Sequence, residues 1–324
     1  MLIVSDRDAP RAIGPSVVTI GVFDGLHRGH RAVIEELGRL AREYQGTATV
    51  VTFDPAPTQV LNPSRAPRLL ATMDQRLDGF ATLAVEQVRV VNFDDAVANE
   101  SAKDFVERVI VGELAARCVV VGQDFRFGHN REGTVELLGD WGRRRGFDVI
   151  AAPPYGEPER WSSTAVRSAL AAGDLGRAND ILGRFFTLRA PVVHGDARAR
   201  ALGFPTANLD VAAHQQLPDD GVYAGATFAG GAWRAAAISV GRRPQYYEEG
   251  PLVVEVNVLN YRENLYESVL NVAFVERLRG QETFVEERDL VAQVALDVAK
   301  TGELFAAMTA REVELLGWGF GQRR

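Results

Sequence analysis

The sequence contains one cysteine, Cys118, so it can form neither a disulfide within the chain nor a cysteine-based metal cluster. Valines follow Cys118, which predicts a small buried side chain in a strand. No apolar run approaches the ~20 residues that span a membrane, and the first residues lack the charged-then-apolar layout of a secretory signal. We therefore expect a cytoplasmic protein that has no membrane partner.

An excess of basic residues is also lacking. The formal net charge is −7 over 324 residues, which argues against nonspecific binding to nucleic acid. The sequence has no internal repeat and no low-complexity tract. Its 46% hydrophobic and 24% charged residues are ordinary for a globular protein, and its length is typical of two domains. Composition leaves open whether the chain forms a homo-oligomer.

Strand-like and helix-like patterns alternate over the first half of the chain. The runs typical of strands are at residues 17–21, 47–53, 86–93, 119–122 and 147–151. Apolar residues at helical spacing lie between them, at 33–44, 74–84, 101–115 and 132–145. This alternation predicts an α/β domain with a parallel, doubly wound sheet. Ligands of such sheets bind at the carboxyl ends of the strands, near the point where the strand order reverses.

The first of these strands runs into a glycine-rich turn at residues 21–30. Gly21, Gly25 and Gly29 punctuate the turn, and a helical pattern follows it. His27 and His30 are three residues apart, so both imidazoles lie on one face if the helix has already begun there. Because a helix N-terminus offers free N–H groups and a partial positive charge, we interpret the turn as phosphate-binding.

Two later loops also follow predicted strands. Residues 123–133 carry two aromatic residues, two arginines and two glycines, which suits a platform for a ring together with cations for phosphate. An equal alternative is that the phenylalanines only anchor the loop to the core. Residues 162–167 place Ser163 and Thr164 at a predicted helix start and Arg167 one turn later. This pattern is a helix N-cap and, compatibly, a second phosphate cradle.

The second half has a different pattern, which begins after two short helical segments around 165–182. Strand-like runs at 186–193, 221–228, 233–240, 252–259 and 269–274 are separated by short turns, which predicts an antiparallel barrel or sandwich. Helical stripes follow around 290–298 and 309–317. We place the domain boundary near residue 184, so that the two domains comprise residues 1–184 and 185–324.

Polar residues interrupt the apolar pattern of this half at two places. Thr206 and Asn208 are two apart on an extended segment, so they point the same way and can share one magnesium ion and its phosphate. The alternative is that both only cap a turn. Glu255 is a carboxylate inside the otherwise apolar strand 252–259, and a solvent-facing position on an alternating strand would also explain it.

Several segments together resemble the bacterial bifunctional riboflavin kinases/FMN adenylyltransferases, also called FAD synthetases. The first half resembles that family at residues 21–30, 52–55, 121–128 and 162–167, and the second half at 202–208 and around Glu255. The resemblance implies that the second domain phosphorylates riboflavin with ATP. It also implies that the first domain adenylylates FMN to FAD with release of pyrophosphate. Mg²⁺ is the implied cofactor of both steps, and riboflavin, FMN, FAD and ATP are the implied ligands.

The resemblance also implies roles for particular residues. His27 and His30 would donate hydrogen bonds to phosphate oxygens, and Glu255 would take the proton of the ribityl 5′-hydroxyl. Thr206 and Asn208 would hold the metal ion. The residues with implied contacts to nucleotide or phosphate are Gly21, Phe23, Asp24, Gly25, Ser163, Thr164, Arg167, Gly195 and Arg198. Those implied for the flavin are Asp124, Phe125, Phe127, Asn130 and Arg279, although Arg279 is as readily a surface arginine.

The sequence departs from the family pattern at several positions. Ala56 replaces a histidine, Ala197 and Ala199 replace glycines of a phosphate-binding loop, and the segment 241–246 also differs. Three alternatives therefore stay open: an enzyme with adenylyltransferase activity alone, an enzyme that acts on a modified flavin or another substrate, and a flavin- or nucleotide-binding regulatory protein without turnover. The complete set of charge-stabilising residues in the first half favours an enzyme over the regulatory protein.

Overall fold

The computed structural model describes residues 1–6, 14–156, 160–195, 199, 202–242 and 252–316. The described chain forms two compact units. The first unit contains the described residues of Met1–Arg68 and Met73–Ser162, and the second contains Leu69–Thr72 and the described chain from Ser163 onward. Within the second unit, the N–H of Leu69 donates to the carbonyl oxygen of His214, with an N···O distance of 2.7 Å. The domain boundary near residue 184 stays a prediction.

A six-stranded parallel sheet is the framework of the first unit. Its strands are β1 (Leu2–Ser5), β2 (Ser16–Ile20), β3 (Thr47–Asp54), β4 (Gln87–Asn92), β5 (Ala116–Gly122) and β6 (Asp148–Ala152). The spatial order is β1-β4-β3-β2-β5-β6, and every neighbouring pair is parallel. The predicted parallel α/β class is confirmed, and β1 is a strand that the sequence patterns did not indicate.

Helices connect these strands. They are α1 (Arg28–Glu43), α2 (Pro57–Leu61), α3 (Met73–Ala81), α4 (Asp95–Ala98), α5 (Ala102–Phe105) and α6 (Val135–Arg145), with short 3₁₀ turns at Pro63–Arg65 and His129–Arg131. The helix predicted over 101–115 continues from α5 as a π-helical segment, Val106–Glu113. Its wider winding is visible where the N–H of Leu114 donates to the carbonyl of Val109, five residues earlier.

The strand order reverses at β2, which lies between β3 and β5. After β2 the chain adds β3 and β4 on one side of it, and then crosses to add β5 and β6 on the other. All five residues of β2 are buried, as expected of a central strand covered on both faces. The turn at residues 21–30 and the loop at 123–133 follow β2 and β5, so both begin at the switch point where such sheets bind ligands.

A closed antiparallel barrel forms most of the second unit. Its strands are β7 (Phe186–Val193), β8 (Ala207–Leu209), β9 (Gly221–Ala229), β10 (Ala232–Arg242), β11 (Leu252–Val258) and β12 (Val269–Arg279), in the spatial order β10-β11-β8-β7-β12-β9. Helices α7 (Ser163–Ala171) and α8 (Leu175–Leu182) precede the barrel, and α9 (Glu287–Ala306) and α10 (Ala310–Leu316) follow it. Of the two predicted antiparallel architectures, the barrel is therefore the correct one.

Side-chain alternation fills the barrel. Along β11, Val254, Val256 and Val258 are buried and the residues between them are partly exposed, so the valines of one face of the strand point into the barrel. A Cβ at Gly225 would lie 2.2 Å from the carbonyl oxygen of Ala273, so glycine is needed where β9 and β12 approach each other. Polar residues of β11 consequently lie on the outer face of the barrel.

Cys118 is a buried free thiol in β5, as predicted. Burial raises the pKa of the thiol to about 11, so it stays protonated and packs as a small apolar group. None of the helices in the described part of the chain combines the length and apolar character needed to cross a membrane.

Candidate active sites

The turn at residues 21–30, which we call the histidine turn, has a strained backbone before α1 begins. Phe23 and Leu26 have φ values of 54° and 43°, in the left-handed region that non-glycine residues rarely adopt. Gly25 lies between them with φ 77°. Such outliers concentrate at functional sites, where the surrounding structure holds them in place. His27 is the N-cap of α1 and has an extended backbone, so it does not have the helical geometry on which the predicted common face depended.

The two histidine rings nevertheless meet, through a capping contact. Nδ1 of His27 accepts a hydrogen bond from the backbone N–H of His30 at 3.3 Å. The rings stack with their centroids 3.7 Å apart and an interplanar angle of 22°. A Cβ on Gly29 would lie 3.2 Å from the His27 ring, so this glycine leaves room for the imidazole. Because Nδ1 of His27 is an acceptor, the neutral ring carries its proton on Nε2, which is therefore its donor.

His30 lies in a largely desolvated position. The ring of Phe23 meets it edge-on, with a centroid distance of 5.2 Å. Nδ1 of His30 is buried and has no hydrogen-bond partner among the residues that the structure describes. Burial, and to a smaller extent the charge of His27, lowers the pKa of His30 well below its ordinary value of 6.5. His30 is therefore neutral at physiological pH and still has one N–H to donate.

The start of α1 is electropositive. Its first turn contains no acidic residue and carries Arg28 and Arg31. The Arg28 guanidinium lies over the ring of Trp161, 5.5 Å from its centroid. Together with the partial positive charge of a helix N-terminus, these cations make the region suitable for an anion. Asp24, by contrast, is only 4% exposed and its charge faces Arg76, so the structure places this predicted nucleotide contact beneath the surface of the turn.

The two phenylalanines of the loop after β5 are packed together. Phe125 and Phe127 stack with centroids 5.3 Å apart and an interplanar angle of 16°. Phe127 also contacts Phe105 and Trp141, so it is anchored in the core cluster of the first unit. Of the two interpretations of this loop, anchoring describes Phe127. Phe125 is likewise half-buried and packs against the same cluster, and its contact with a flavin stays a prediction.

The polar residues of the same loop are held at its surface. Asp124 forms a bidentate ion pair with Arg160, at 2.9 and 3.1 Å, and this hydrogen bonding lowers the pKa of Asp124. Asn130 is exposed and has φ 52°. A Cβ on Gly128, which has φ 74°, would lie 2.5 Å from the backbone of Ala102, so the loop depends on glycine at this close approach.

The predicted hydroxyl-arginine cradle lies at the start of α7. That helix begins at Ser163, which confirms the helix start predicted there, and Thr164 and Arg167 belong to its first turn and a half. These residues lie in the second unit. Their predicted contact with nucleotide phosphates stays a prediction.

Three polar residues face one another across neighbouring strands of the barrel. Asn208 of β8 lies opposite Glu255 of β11, and Glu255 lies opposite Ser239 of β10. Residues directly opposite in antiparallel strands point to the same face, with Cβ atoms roughly 4.5–5.5 Å apart. We call this set, which lies on the outer face of the barrel, the polar row. Thr206 is two residues before Asn208 and directly precedes β8, and the predicted orientation of its hydroxyl to the same side stays a prediction.

The side-chain amide of Asn208 packs directly against Gly195, which lies just after β7. A Cβ at Gly195 would lie 2.2 Å from Nδ2 and 2.4 Å from Cγ of Asn208. The glycine therefore makes space for the amide of a predicted metal ligand, and the phosphate contact predicted for Gly195 stays a prediction. Arg198, Ala197 and most of the segment 241–246 lie outside the described residues.

Arg279 has a protein partner instead of an open surface position. Its guanidinium forms hydrogen bonds of 2.8–3.2 Å with both carboxylate oxygens of Asp297 on α9. The two side chains are 15% and 8% exposed, so the ion pair is largely desolvated. Arg279 thus fixes α9 to β12, and this structural role accounts for the arginine without a ligand. Its flavin contact stays a prediction.

Sequence patterns missed two residues that contact these sites. Ser239 completes the polar row, and Nε2 of Gln281 donates to its hydroxyl at 3.0 Å. Arg76 lies beneath the histidine turn and donates to the carbonyl of Val22 at 2.9 Å. The burial of Arg76 could have been suspected from the sequence only because this cationic residue lies beside apolar residues of a predicted helix. Ser239 had no such signal, because serine is common at outward positions of a strand.

Comparisons with known proteins agree with both halves of the chain. Residues 10–165 match the FAD synthetase family model, and residues 182–305 match the riboflavin kinase family model. The bifunctional riboflavin kinase/FMN adenylyltransferase of Pseudomonas fluorescens is 36% identical over 297 residues, which cover 91% of this chain and 94% of that protein. The protein of the same name from Escherichia coli (strain K12) is 35% identical and covers 89% of this chain and 92% of its own length.

A solved structure is similar over nearly the whole chain. It is described as a macrolide-efflux protein from Streptococcus pneumoniae, and it has a TM-score of 0.82 at 26% sequence identity. The similarity covers 95% of this chain and all of that one. The fold of the chain is therefore shared with a protein whose name refers to a different activity.

Proposed function

The chain belongs to the family of bifunctional riboflavin kinases/FMN adenylyltransferases, and from this premise we propose that two separate sets of its residues carry the two activities. As a transferase of FAD biosynthesis, it forms FMN from riboflavin and ATP and forms FAD from FMN and ATP. We assign adenylyl transfer to the histidine turn and phosphorylation to the polar row with Thr206. The observation that carries this assignment is that each set is built within a different compact unit.

Adenylyl transfer requires one anion to attack another. A phosphate oxygen of FMN attacks the α-phosphorus of ATP, the bond to the β-phosphate oxygen breaks, and pyrophosphate leaves. The enzyme must align the two reactants and offset the negative charge that develops on the transferred group. His27 through Nε2 and neutral His30 would donate hydrogen bonds to phosphate oxygens, while the N-terminus of α1 with Arg28 and Arg31 attracts them. No nucleophile from the protein is needed.

The flavin of FMN would lie against the loop after β5. Phe125, which is half-buried in the loop that begins at the switch point, would contact the flavin ring, and Asp124 and Asn130 are exposed polar groups of the same loop. The ion pair between the exposed side chains of Asp124 and Arg160 links this loop to the segment after β6. Phe127 supports the platform from the core side and would not itself contact the ring.

Phosphorylation of riboflavin requires a base and a site for the ATP phosphates. Glu255 would accept the proton of the riboflavin 5′-hydroxyl as that oxygen attacks the γ-phosphorus of ATP and ADP leaves. A carboxylate on the rigid strand β11 suits this role, because its position does not depend on a loop. Asn208 lies opposite Glu255, so its amide oxygen would lie close to the reacting group.

The donor set around Asn208 fits magnesium. Thr206 and Asn208 supply oxygen ligands, and Mg²⁺ prefers oxygen and takes the rest of its shell from phosphates and water. Among the described residues no group of three or more His, Cys, Asp or Glu side chains could hold a metal ion, so the ligands would be this hydroxyl and amide together with ATP. Bound Mg²⁺ would offset the charge of the ATP phosphates.

The proposal is tested by supplying the purified protein with each substrate separately. One reaction contains riboflavin, ATP and Mg²⁺, the other contains FMN, ATP and Mg²⁺, and the flavins are separated by chromatography. We expect FMN and then FAD in the first reaction, and FAD with pyrophosphate in the second. Formation of FAD from FMN without any phosphorylation of riboflavin would contradict the assignment of a working kinase to the polar row.

A matched pair of variants tests the role of Glu255 itself. Glu255→Gln removes the base but keeps the shape of the side chain, so FMN formation should fall about 100-fold or more. Glu276→Gln makes the same change at an exposed position of β12 and should leave FMN formation unchanged. Equal rates for the two variants would overturn the assignment of the general base.

A further inference from the structure

Among the residues that the structure describes, Arg76 on α3 has the largest fully buried side chain, and that side chain ends in a charged guanidinium group. It is 1% exposed, although arginine is almost never fully buried without partners. Its Nη1 donates to the carbonyl oxygen of Val22 at 2.9 Å, to Oγ1 of Thr52 at 3.2 Å and to the carbonyl oxygen of Phe53 at 3.4 Å. The guanidinium therefore joins the end of β3 to the beginning of the histidine turn.

The acceptors of Arg76 are also joined to each other. Oγ1 of Thr52 donates to the same carbonyl of Val22 at 3.3 Å. The carbonyl of Val22 thus receives hydrogen bonds from two side chains at the position just before the strained residue Phe23. Burial lowers the pKa of Arg76, while the negative charges of Asp24 and Asp54 oppose that shift. These two carboxylates therefore partly offset the cost of burying the positive charge.

Phe80, one helical turn after Arg76 on α3, contacts Phe23, the residue that follows Val22 in the histidine turn. Its ring meets Phe23 edge-on, with centroids 5.7 Å apart, and Phe23 in turn meets His30 at 5.2 Å. Arg76 and Phe80 are four residues apart, so they lie on the same face of α3. That face therefore holds Val22 by its backbone and Phe23 by its ring, and Phe23 contacts the catalytic candidate His30.

We propose that Arg76 is a positioning residue for adenylyl transfer. Together with Phe80 it fixes the backbone at Val22 and Phe23, and this support holds the rings of His27 and His30 in the stacked arrangement. None of the described contacts of Arg76 is with either histidine, so its effect passes through the turn. The inference rests on the proposed role of the histidine turn.

The test compares two buried arginines of the same unit. Arg76→Met keeps an unbranched apolar side chain but removes the donors, and Arg76→Lys keeps one charged donor. Arg89 on β4 is the matched control: it is also buried, and its partners are Asp6, Glu113 and the carbonyl of Val90, not the histidine turn. For each variant we would measure thermal unfolding, and kcat and KM for FMN and ATP at a temperature where the protein is folded.

We expect Arg76→Met to lower kcat of FAD formation at least about 10-fold with a much smaller change in KM, since mispositioned groups act on the transition state. Arg76→Lys should restore part of kcat. Arg89→Met should lower the unfolding temperature at least as much while its kcat stays near that of the wild type. Equal kcat for Arg76→Met and wild type, or equal losses in the Arg76 and Arg89 variants, would overturn the proposal.

A double variant separates this inference from the proposed function beneath it. If Arg76 acts through the histidine turn, Arg76→Met should have little further effect in a His30→Ala background. Independent effects that multiply would overturn the positioning role. A His30→Ala variant that forms FAD at the wild-type rate would instead show that the proposed function of the turn is wrong. Should Arg76→Met fail to fold, Arg76→Lys supplies the same kcat and double-variant comparisons.

Discussion

Replacing Gly195 with alanine should abolish most riboflavin phosphorylation without affecting adenylyl transfer. The new Cβ would lie 2.2 Å from Nδ2 and 2.4 Å from Cγ of Asn208, whereas non-bonded heavy atoms settle at about 3.5–4.0 Å. The amide must therefore move by about 1 Å or more, away from its place beside Glu255. Because a displacement of that size can cost about 100-fold in rate, we expect kcat for FMN formation to fall by about that factor.

The assay for Gly195→Ala follows both reactions in one preparation. FMN formation from riboflavin and FAD formation from added FMN are measured together with thermal unfolding, so that a general loss of folding is visible. Gly280→Ala is the control, because a Cβ there meets no heavy atom within 4 Å. If Gly195→Ala phosphorylates riboflavin as fast as Gly280→Ala does, the proposed dependence of the kinase site on the position of Asn208 is refuted.

Three further predictions concern stability. Below about pH 6.5 unfolded His30 binds a proton and folded His30 does not, so the free energy of unfolding should fall by up to about 1.4 kcal/mol per pH unit as the pH falls below that value. His30→Gln should therefore flatten the dependence of the unfolding free energy on pH, measured by urea unfolding. Parallel curves for the variant and the wild type would refute this. Gly128→Ala combines φ 74° with a 2.5 Å approach to Ala102 and should cost about 2 kcal/mol or more in urea unfolding, and an unchanged midpoint would contradict that. Asp297→Ala leaves the guanidinium of Arg279 largely buried and unpaired, so we expect a loss of about 3 kcal/mol by the same method, and a loss below about 1 kcal/mol would contradict it.

Periodicity was sufficient to predict most of the fold. Strands such as β3 and β11 are runs of β-branched residues, and α1 places Ile34, Leu37 and Leu40 on one buried face, so local pattern and burial agree. Leu2–Ser5 was missed because four residues are too few to establish a period. The π-helical winding of Val106–Glu113 also could not be predicted, because its apolar stripe fits an α-helix equally well.

The candidate sites were only partly accessible from the sequence. The spacing of His27 and His30 identified the turn, but their contact arises from an N-cap hydrogen bond and not from a shared helical face. Asn208 and Glu255 are far apart in sequence, and only strand pairing places them opposite each other. The burial of Arg76 and the pairing of Arg279 with α9 likewise depend on tertiary contacts that local patterns do not contain.

The central claim is that two separate sets of residues perform the two reactions, and reciprocal variants test it most directly. In parallel preparations, His30→Ala should lose most but not all FAD formation from FMN while it phosphorylates riboflavin normally, and Glu255→Ala should show the reverse. Chromatographic rates of both reactions, measured on protein shown to be folded, give the answer. Equal damage to both reactions in both variants would contradict the assignment of the histidine turn and the polar row to different activities.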